Sequence, residues 1–166
     1  MRAAITLILI LALGAPVHAQ PAPSWHTYRN PQFGYSIDVP AGFTTAAGAH
    51  GRDGIALSAV IGKARIQIYG GHNAKAADPE KLAAVLAGSD RVKRVTYRAG
   101  GRDWLVLSGY YQGAGTDGGN VVFYTKFMFN RDHSALSAFE ISYPAAEKPR
   151  YDAVVAHLEK TLTPPS

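Results

Sequence analysis

This 166-residue sequence contains no cysteine. That absence excludes disulfides, thiol catalysis, cysteine-ligated metals and the lipidated cysteine of a bacterial lipoprotein. Whatever holds the fold must be its apolar core. Acidic residues are also scarce, 12 against 17 Lys and Arg, so the formal net charge is +5. Compact metal-ligand spacings such as H-x-H and H-E-x-x-H are missing, as is the G-x-S-x-G turn that presents a hydrolase serine. After the first turn of sequence no apolar stretch approaches the ~20 residues that a membrane helix needs.

One apolar run is present, at the start. Met1-Arg2 supplies positive charge, Ala3 to Leu13 is apolar, Gly14 and Pro16 break the run, and Val17-His18-Ala19 offers small residues at the cleavage positions. This is the pattern of a secretory signal over residues 1–19, cut between Ala19 and Gln20. The expectation is a periplasmic or secreted bacterial protein of about 147 residues, the size of one domain. No transmembrane or lipid anchor is expected after cleavage. Arg2 leaves with the signal, so the charge falls from +5 to +4. A basic balance suits an anionic component of the cell envelope, or serves solubility alone. Nucleic acid is not an expected partner, because no binding motif accompanies the charge.

Residues 20–24 read as an extended leader and 25–163 as a single domain. Trp25 to Arg29 alternates as a strand, and Asn30-Pro31-Gln32 is a turn. Phe33, Tyr35, Ile37 and Val39 share one face of the next strand. Residues 44–54, rich in Ala, Gly and Thr, read as a loop. Ile55 to Ile61 and Ala64 to Tyr69 form a hairpin through a two-residue Gly62-Lys63 turn. Asp78-Pro79-Glu80 opens a short helix near 79–88, with Leu82, Val85 and Leu86 as its apolar stripe. Strands follow at 92–98, 103–112, 121–130 and 135–143. The nearly continuous apolar run of the second predicts cover on both faces. A long helix near 146–162 closes the domain, with Tyr151, Val154, Val155, Leu158 and Leu162 on one stripe. The simplest packing is α+β, with helices laid on a mostly antiparallel sheet.

Two stretches carry a resemblance. Asn30-Pro31-Gln32-Phe33-Gly34-Tyr35-Ser36-Ile37-Asp38-Val39-Pro40, and Ile141-Ser142-Tyr143-Pro144 followed by Tyr151-Asp152-Ala153-Val154-Val155, resemble the opening and close of the PsbP-like fold. That fold is shared with the Ran-binding Mog proteins, and the sequence resembles exported alphaproteobacterial proteins of this type. The resemblance implies an α-β-α sandwich around an antiparallel sheet. It also implies a binding or assembly module rather than an enzyme. It carries over no catalytic motif, no cofactor and no metal site.

The chemical candidates are few. Gly113 to Gly118 matches G-x-G-x-x-G, but a strand follows where a dinucleotide loop needs a helix. His26, His50, His72, His133 and His157 are scattered. Ser108, Ser134, Ser137, Asp103 and Asp132 form no recognisable triad. Lys126 and Glu140 stand out because each interrupts an apolar strand. An even hairpin register would place both on the face of Tyr124. They then read either as an ordinary cross-strand ion pair or as the centre of a ligand groove with Tyr110, Tyr111 and Tyr124. Arg91, Lys93, Arg94, Arg98 and Arg102 form a mild basic cluster. Strand alternation would put Arg94 and Arg98 on one side. With Arg102 they read as a charged sheet edge or as a docking patch for an acidic partner. The expected function is therefore a non-enzymatic binding or accessory module of the envelope. The alternatives are a small hydrolase with a spatially assembled site, or a small-molecule or lipid carrier with an apolar cavity.

Overall fold

Period-two apolar alternation over most of the chain builds nine strands among the described residues, and two helices seal their faces. The computed structural model describes residues 24–74, 77–89, 93–113 and 120–166, without side chains for 47–50 and 87–89. The signal segment, the leader up to Pro23, Arg91 and residues 114–118 of the glycine-rich motif lie outside what is described.

The first two strands, β1 (Trp25–Arg29) and β2 (Ser36–Pro40), form their own antiparallel ribbon. Their connection is fixed by Asn30, which is 2 % exposed. Its Oδ1 accepts from the backbone N–H groups of Gln32 and Phe33 at 3.0 and 2.9 Å, and its Nδ2 donates to Arg52 O at 3.0 Å. Such an Asx arrangement satisfies the turn's backbone donors. Phe33 and Tyr35 thus belong to the turn, not the strand, yet they are buried with Ile37 and Val39 as the pattern predicts.

The remaining strands are β3 (Phe43–His50), β4 (Gly54–Ala59), β5 (Arg65–His72), β6 (Lys93–Gly100), β7 (Trp104–Tyr111), β8 (Val121–Phe129) and β9 (Ala135–Pro144). They make one antiparallel sheet in the order β3-β4-β5-β9-β8-β7-β6. Residues 43–50 are a strand and not the predicted loop. Their Ala, Gly and Thr composition is weak for a strand, but β3 is an edge that pairs only with β4, with an irregular register between Thr45 and His50. The β4–β5 hairpin closes at Ala59 and Ala64, joined by a 2.9 Å backbone hydrogen bond. Its loop is Val60 to Lys63, four residues rather than two. Strand β7 lies next to the β6 edge, yet Leu105, Val106 and Leu107 are all buried because each face has a cover.

Helix α1 (Pro79–Ser89) starts as predicted: Asp78 Oδ1 accepts from Lys81 N at 2.8 Å, an N-cap. Its apolar stripe is Leu82, Ala83 and Leu86, whereas Val85 is 62 % exposed. It covers Leu105, Leu107, Phe123, Phe127, Phe129 and Ala138 on one face of the sheet. A short 3-10 turn (Ala145–Glu147) leads into helix α2 (Lys148–Thr161). Tyr151, Val154 and Leu158 of α2, with Leu162 beyond it, pack with the β1–β2 ribbon over Ile66, Ile68, Phe139 and Ile141 on the opposite face. The result is an α-β-α sandwich. Each fully buried Val, Leu, Ile or Phe contributes about 1.5–3 kcal/mol of transfer free energy, and α2 and its ribbon bury the larger set.

Candidate functional site

Strand register decides which polar groups meet. In the β8–β9 pair Lys126 lies opposite Phe139 and Thr125 opposite Glu140. The register is odd, so Lys126 and Glu140 point to opposite faces. The expected cross-strand pair does not form. The five predicted groove residues are also divided by the sheet: Tyr110, Tyr124 and Lys126 lie on the α2 face, Tyr111 and Glu140 on the α1 face.

On the α2 face, Lys126 Nζ donates to Glu159 O of α2 at 2.7 Å. Burial lowers the pKa of this ammonium, partly offset by the Glu159 charge. The Tyr124 ring stacks on Phe139 at 6.1 Å. Its phenol is pushed well above the ordinary tyrosine value by burial and then by Glu159. Tyr110 stands 39 % exposed on the same face, near the Lys148 end of α2. These residues anchor the helix and do not line a closed groove. The same layer holds a second clamp. The His157 ring stacks on Trp25 at 3.7 Å, and its Nε2 lies 3.0 Å from Asp38 Oδ2. Thr27 donates to the other Asp38 oxygen at 2.7 Å. The Thr27 hydroxyl first, and His157 second, hold the Asp38 carboxyl below its usual range.

The α1 face carries the most concentrated polar arrangement. Glu140 is 8 % exposed in the central strand. Its Oε2 accepts from Lys93 Nζ at 2.8 Å and from Thr125 Oγ1 at 2.7 Å. The Tyr111 hydroxyl donates to Oε1. Lys93 sits over the Tyr111 and Phe123 rings, 5.2 and 5.3 Å from their centroids, so the ammonium gains from ring faces as well as from the carboxylate. Tyr69, beside this group, has its pKa pushed up to about 12, by burial first and the Glu140 charge second. A buried carboxylate is tolerable only when it is paired and hydrogen-bonded, and here one cation and two hydroxyls donate to it.

Helix α1 is short and lies toward β6 and β7. It leaves the first half of β5, at Arg65 and Gln67, the end of β9, at Ser142, and the start of β8 outside its cover. Above Glu140 there is an open cleft of about 420 Å³, lined by Lys63, Arg65, Gln67, Tyr111, Glu140 and Ser142 among others. Under α1 the cavity that touches Glu140 from the other side is only about 80 Å³. The cleft is therefore polar, cation-rimmed and shallow, with an anchored carboxylate as its floor. Lys63, Arg65, Gln67, Thr125 and Ser142 were not among the predicted site residues. Glu140 within an apolar strand was the one signal that pointed here.

The basic cluster is also divided. A bulge between Val95 and Tyr97 shifts the alternation of β6 by one residue. Gly109 of β7 permits it, since a Cβ there would lie 1.9 Å from the Arg94 carbonyl oxygen. Arg94 therefore points to the α2 face and Arg98 to the α1 face, where it pairs with Glu80 of α1. Arg102 is exposed in the β6–β7 turn, 3.6 Å from Asp103. The three arginines do not make one patch. Arg98 and Arg102 instead border a second open cleft of about 620 Å³ at the N-terminus of α1, with Asp78, Glu80 and His133. There His133, at φ 58°, lies 3.0 Å from Asp103. Among the described residues no three His, Asp or Glu side chains converge as a metal site requires.

No protein-family profile matches the chain, and no curated protein sequence matches it. Solved structures do. The Ran-binding protein Mog1p of Saccharomyces cerevisiae superimposes with a TM-score of 0.58 over 86 % of this chain and 96 % of that one, at 8 % identity. Cyanobacterial PsbP from Synechocystis superimposes with a TM-score of 0.55 over 92 % of this chain and 98 % of that one, at 13 % identity. The fold is PsbP-like. At such identities the likeness establishes architecture, and function must be argued from the clefts and surfaces of this chain. Among the described residues no helix is long and apolar enough to cross a membrane.

Proposed function

We propose that this chain is an exported, non-enzymatic binding module of the bacterial cell envelope, and that the cleft above Glu140 receives an acidic segment of a partner protein. The observation that carries this reading is the cleft itself. Its floor carboxylate is neutralised by Lys93 and held by Tyr111 and Thr125, while Lys63 and Arg65 stand at its rim. Among the described residues, three cations, Lys63, Arg65 and Lys93, stand with one carboxylate at the cleft, a balance that suits carboxylates of a partner. Gln67 and Ser142 add neutral hydrogen-bonding groups along the same surface.

The same geometry argues against using Glu140 as a general base. Such a group needs a lone pair within reach of the substrate proton, and three of the about four lone pairs here already serve protein donors. A carrier of lipid or other apolar ligands needs a cavity of roughly 300 Å³ or more. The apolar space under α1 is about 80 Å³. Similarity of fold to a Ran-binding protein supports a protein partner by analogy only. The envelope location rests on the N-terminal signal pattern.

The test is capture from periplasm by the tagged protein, comparing Lys63→Glu/Arg65→Glu with Arg94→Glu. The cleft variant is expected to lose the captured partner by tenfold or more, and Arg94→Glu to keep it. Loss with Arg94→Glu and retention with the cleft variant would place docking on the α2 face and end this proposal.

A further inference from the structure

The tip of the β4–β5 hairpin does not fit the rest of the surface. Val60 is 64 % exposed and Ile61 is 72 % exposed, and they are neighbours in sequence. Among the described residues, the other large exposed apolar or aromatic side chains, Val85, Tyr97 and Tyr110, lie on separate elements. Hairpin loops favour Gly, Asn and Asp for their backbone conformations. Here Gly62, at φ 106°, meets that need. Nothing in the turn's geometry calls for two adjacent β-branched residues at its apex.

The tip is also held in place. Ala59 N donates to Ala64 O and Val60 N to Gly42 O, both at 2.9 Å. Gly62 backs against the start of α2, where a Cβ would meet Glu147 at 3.3 Å, Tyr151 at 3.4 Å and Arg150 at 3.7 Å. The apolar pair is thereby presented outward on a braced turn. Lys63 and Arg65 follow it directly, and Arg150 and Lys148 stand at the adjoining helix start. Among the described residues, the acids facing this end are Glu147, 3.7 Å from Arg150, and Asp152, 2.7 Å from Lys148. Glu140 lies in the cleft beyond and is held by Lys93. Among the described residues, this end gathers four cations, Lys63, Arg65, Lys148 and Arg150, and two acids.

We propose that the Val60-Ile61 tip docks on an anionic lipid bilayer, with the apolar pair between headgroups and Lys63, Arg65 and Arg150 against their phosphates. Shallow apolar insertion combined with cationic contact is the physical basis of reversible interfacial binding. The site is distinct from the cleft floor, and the inference stands whether or not a partner protein binds there.

Because the chain has no cysteine, a single substitution gives a specific probe. Full-length Val60→Cys carrying an environment-sensitive NBD label would be mixed with vesicles of phosphatidylglycerol and phosphatidylcholine, or of phosphatidylcholine alone. A blue shift and intensity rise are expected with the anionic vesicles only. The same label at Val85→Cys, on α1, should stay unchanged, which separates tip insertion from membrane recruitment by the N-terminal apolar segment. Adding Ile61→Asp to the Val60 probe should weaken binding at least tenfold. Lys63→Gln/Arg150→Gln should weaken it about 25-fold, at roughly fivefold per lost cation. An unchanged label at position 60, an equal response on neutral vesicles, or an equal response at position 85 would each overturn the proposal.

Discussion

The two faces of the seven-stranded sheet are covered unequally. On one, α2, the β1–β2 ribbon and the C-terminal tail form a layer that reaches the central strand. Ser137 Oγ donates to Thr163 O at 2.7 Å, and Ser166 N donates to Phe33 O at 3.1 Å, so even the tail is tied down. On the other, the shorter α1 covers one side only, and the rest of the face includes Arg65, Gln67, Glu140 and Ser142. The sealed face uses its polar groups to attach the helix, as Lys126 does with Glu159. The open face uses its own to build a charged, satisfied floor. Cover length, rather than any particular motif, determines where this fold leaves polar strand surface open.

That contrast can be broken most sharply at Phe139. It is fully buried at the centre of the sealed face. Phe139→Ala is expected to destabilise by about 3–5 kcal/mol, measured by urea denaturation. A loss under about 1 kcal/mol would mean that the layer is loosely packed. Glu140→Gln, on the open face, should cost about 1–3 kcal/mol, because Lys93 loses its charge partner. The double variant Glu140→Leu/Lys93→Met should recover much of that loss. If it is worse than Glu140→Gln alone, the cluster stabilises the fold beyond local pairing.

A smaller effect follows from Asp38, whose side chain is 27 % exposed. Its folded-state pKa lies below the unfolded value of about 3.9. The pairing with Thr27 and His157 therefore stabilises fully above that pH and fades as pH falls through the lower folded value. Asp38→Asn is expected to reduce stability at neutral pH and to flatten the loss on acidification, followed by circular dichroism at graded pH. A wild-type acid limb that persists unchanged in the variant would remove Asp38 from the account. The smallest effect belongs to Val85→Ala, on the solvent side of α1, which should change stability by no more than about 0.5 kcal/mol. A larger loss would show that α1 covers more than its contacts indicate.

Much of the fold was legible in the sequence because burial follows period. Phe33, Tyr35, Ile37 and Val39, the Asp78 cap, and Tyr151, Val154 and Leu158 all lie where alternation or helical spacing puts them. Strand β3 was not legible, since an edge strand needs pairing on one side only and tolerates Ala, Gly and Thr. The candidate site was half legible. Glu140 announced itself by interrupting an apolar strand, but its partners depend on register, which composition does not encode. One residue of shift in β8–β9 exchanged Lys126 for Thr125, and the β6 bulge separated Arg94 from Arg98. A slip of one position moves a side chain through the sheet, so pairs across strands are the least secure inference from sequence.

On the proposed reading, binding belongs to the open face. It is tested most directly by a photo-crosslinking residue placed in cells at Gln67, in the cleft, and separately at Ala156, on the exposed side of α2. A discrete crosslinked protein from position 67, absent from 156 and lost with Arg65→Glu, is the predicted result. Equal products from both positions, or a product from 156 alone, would contradict it.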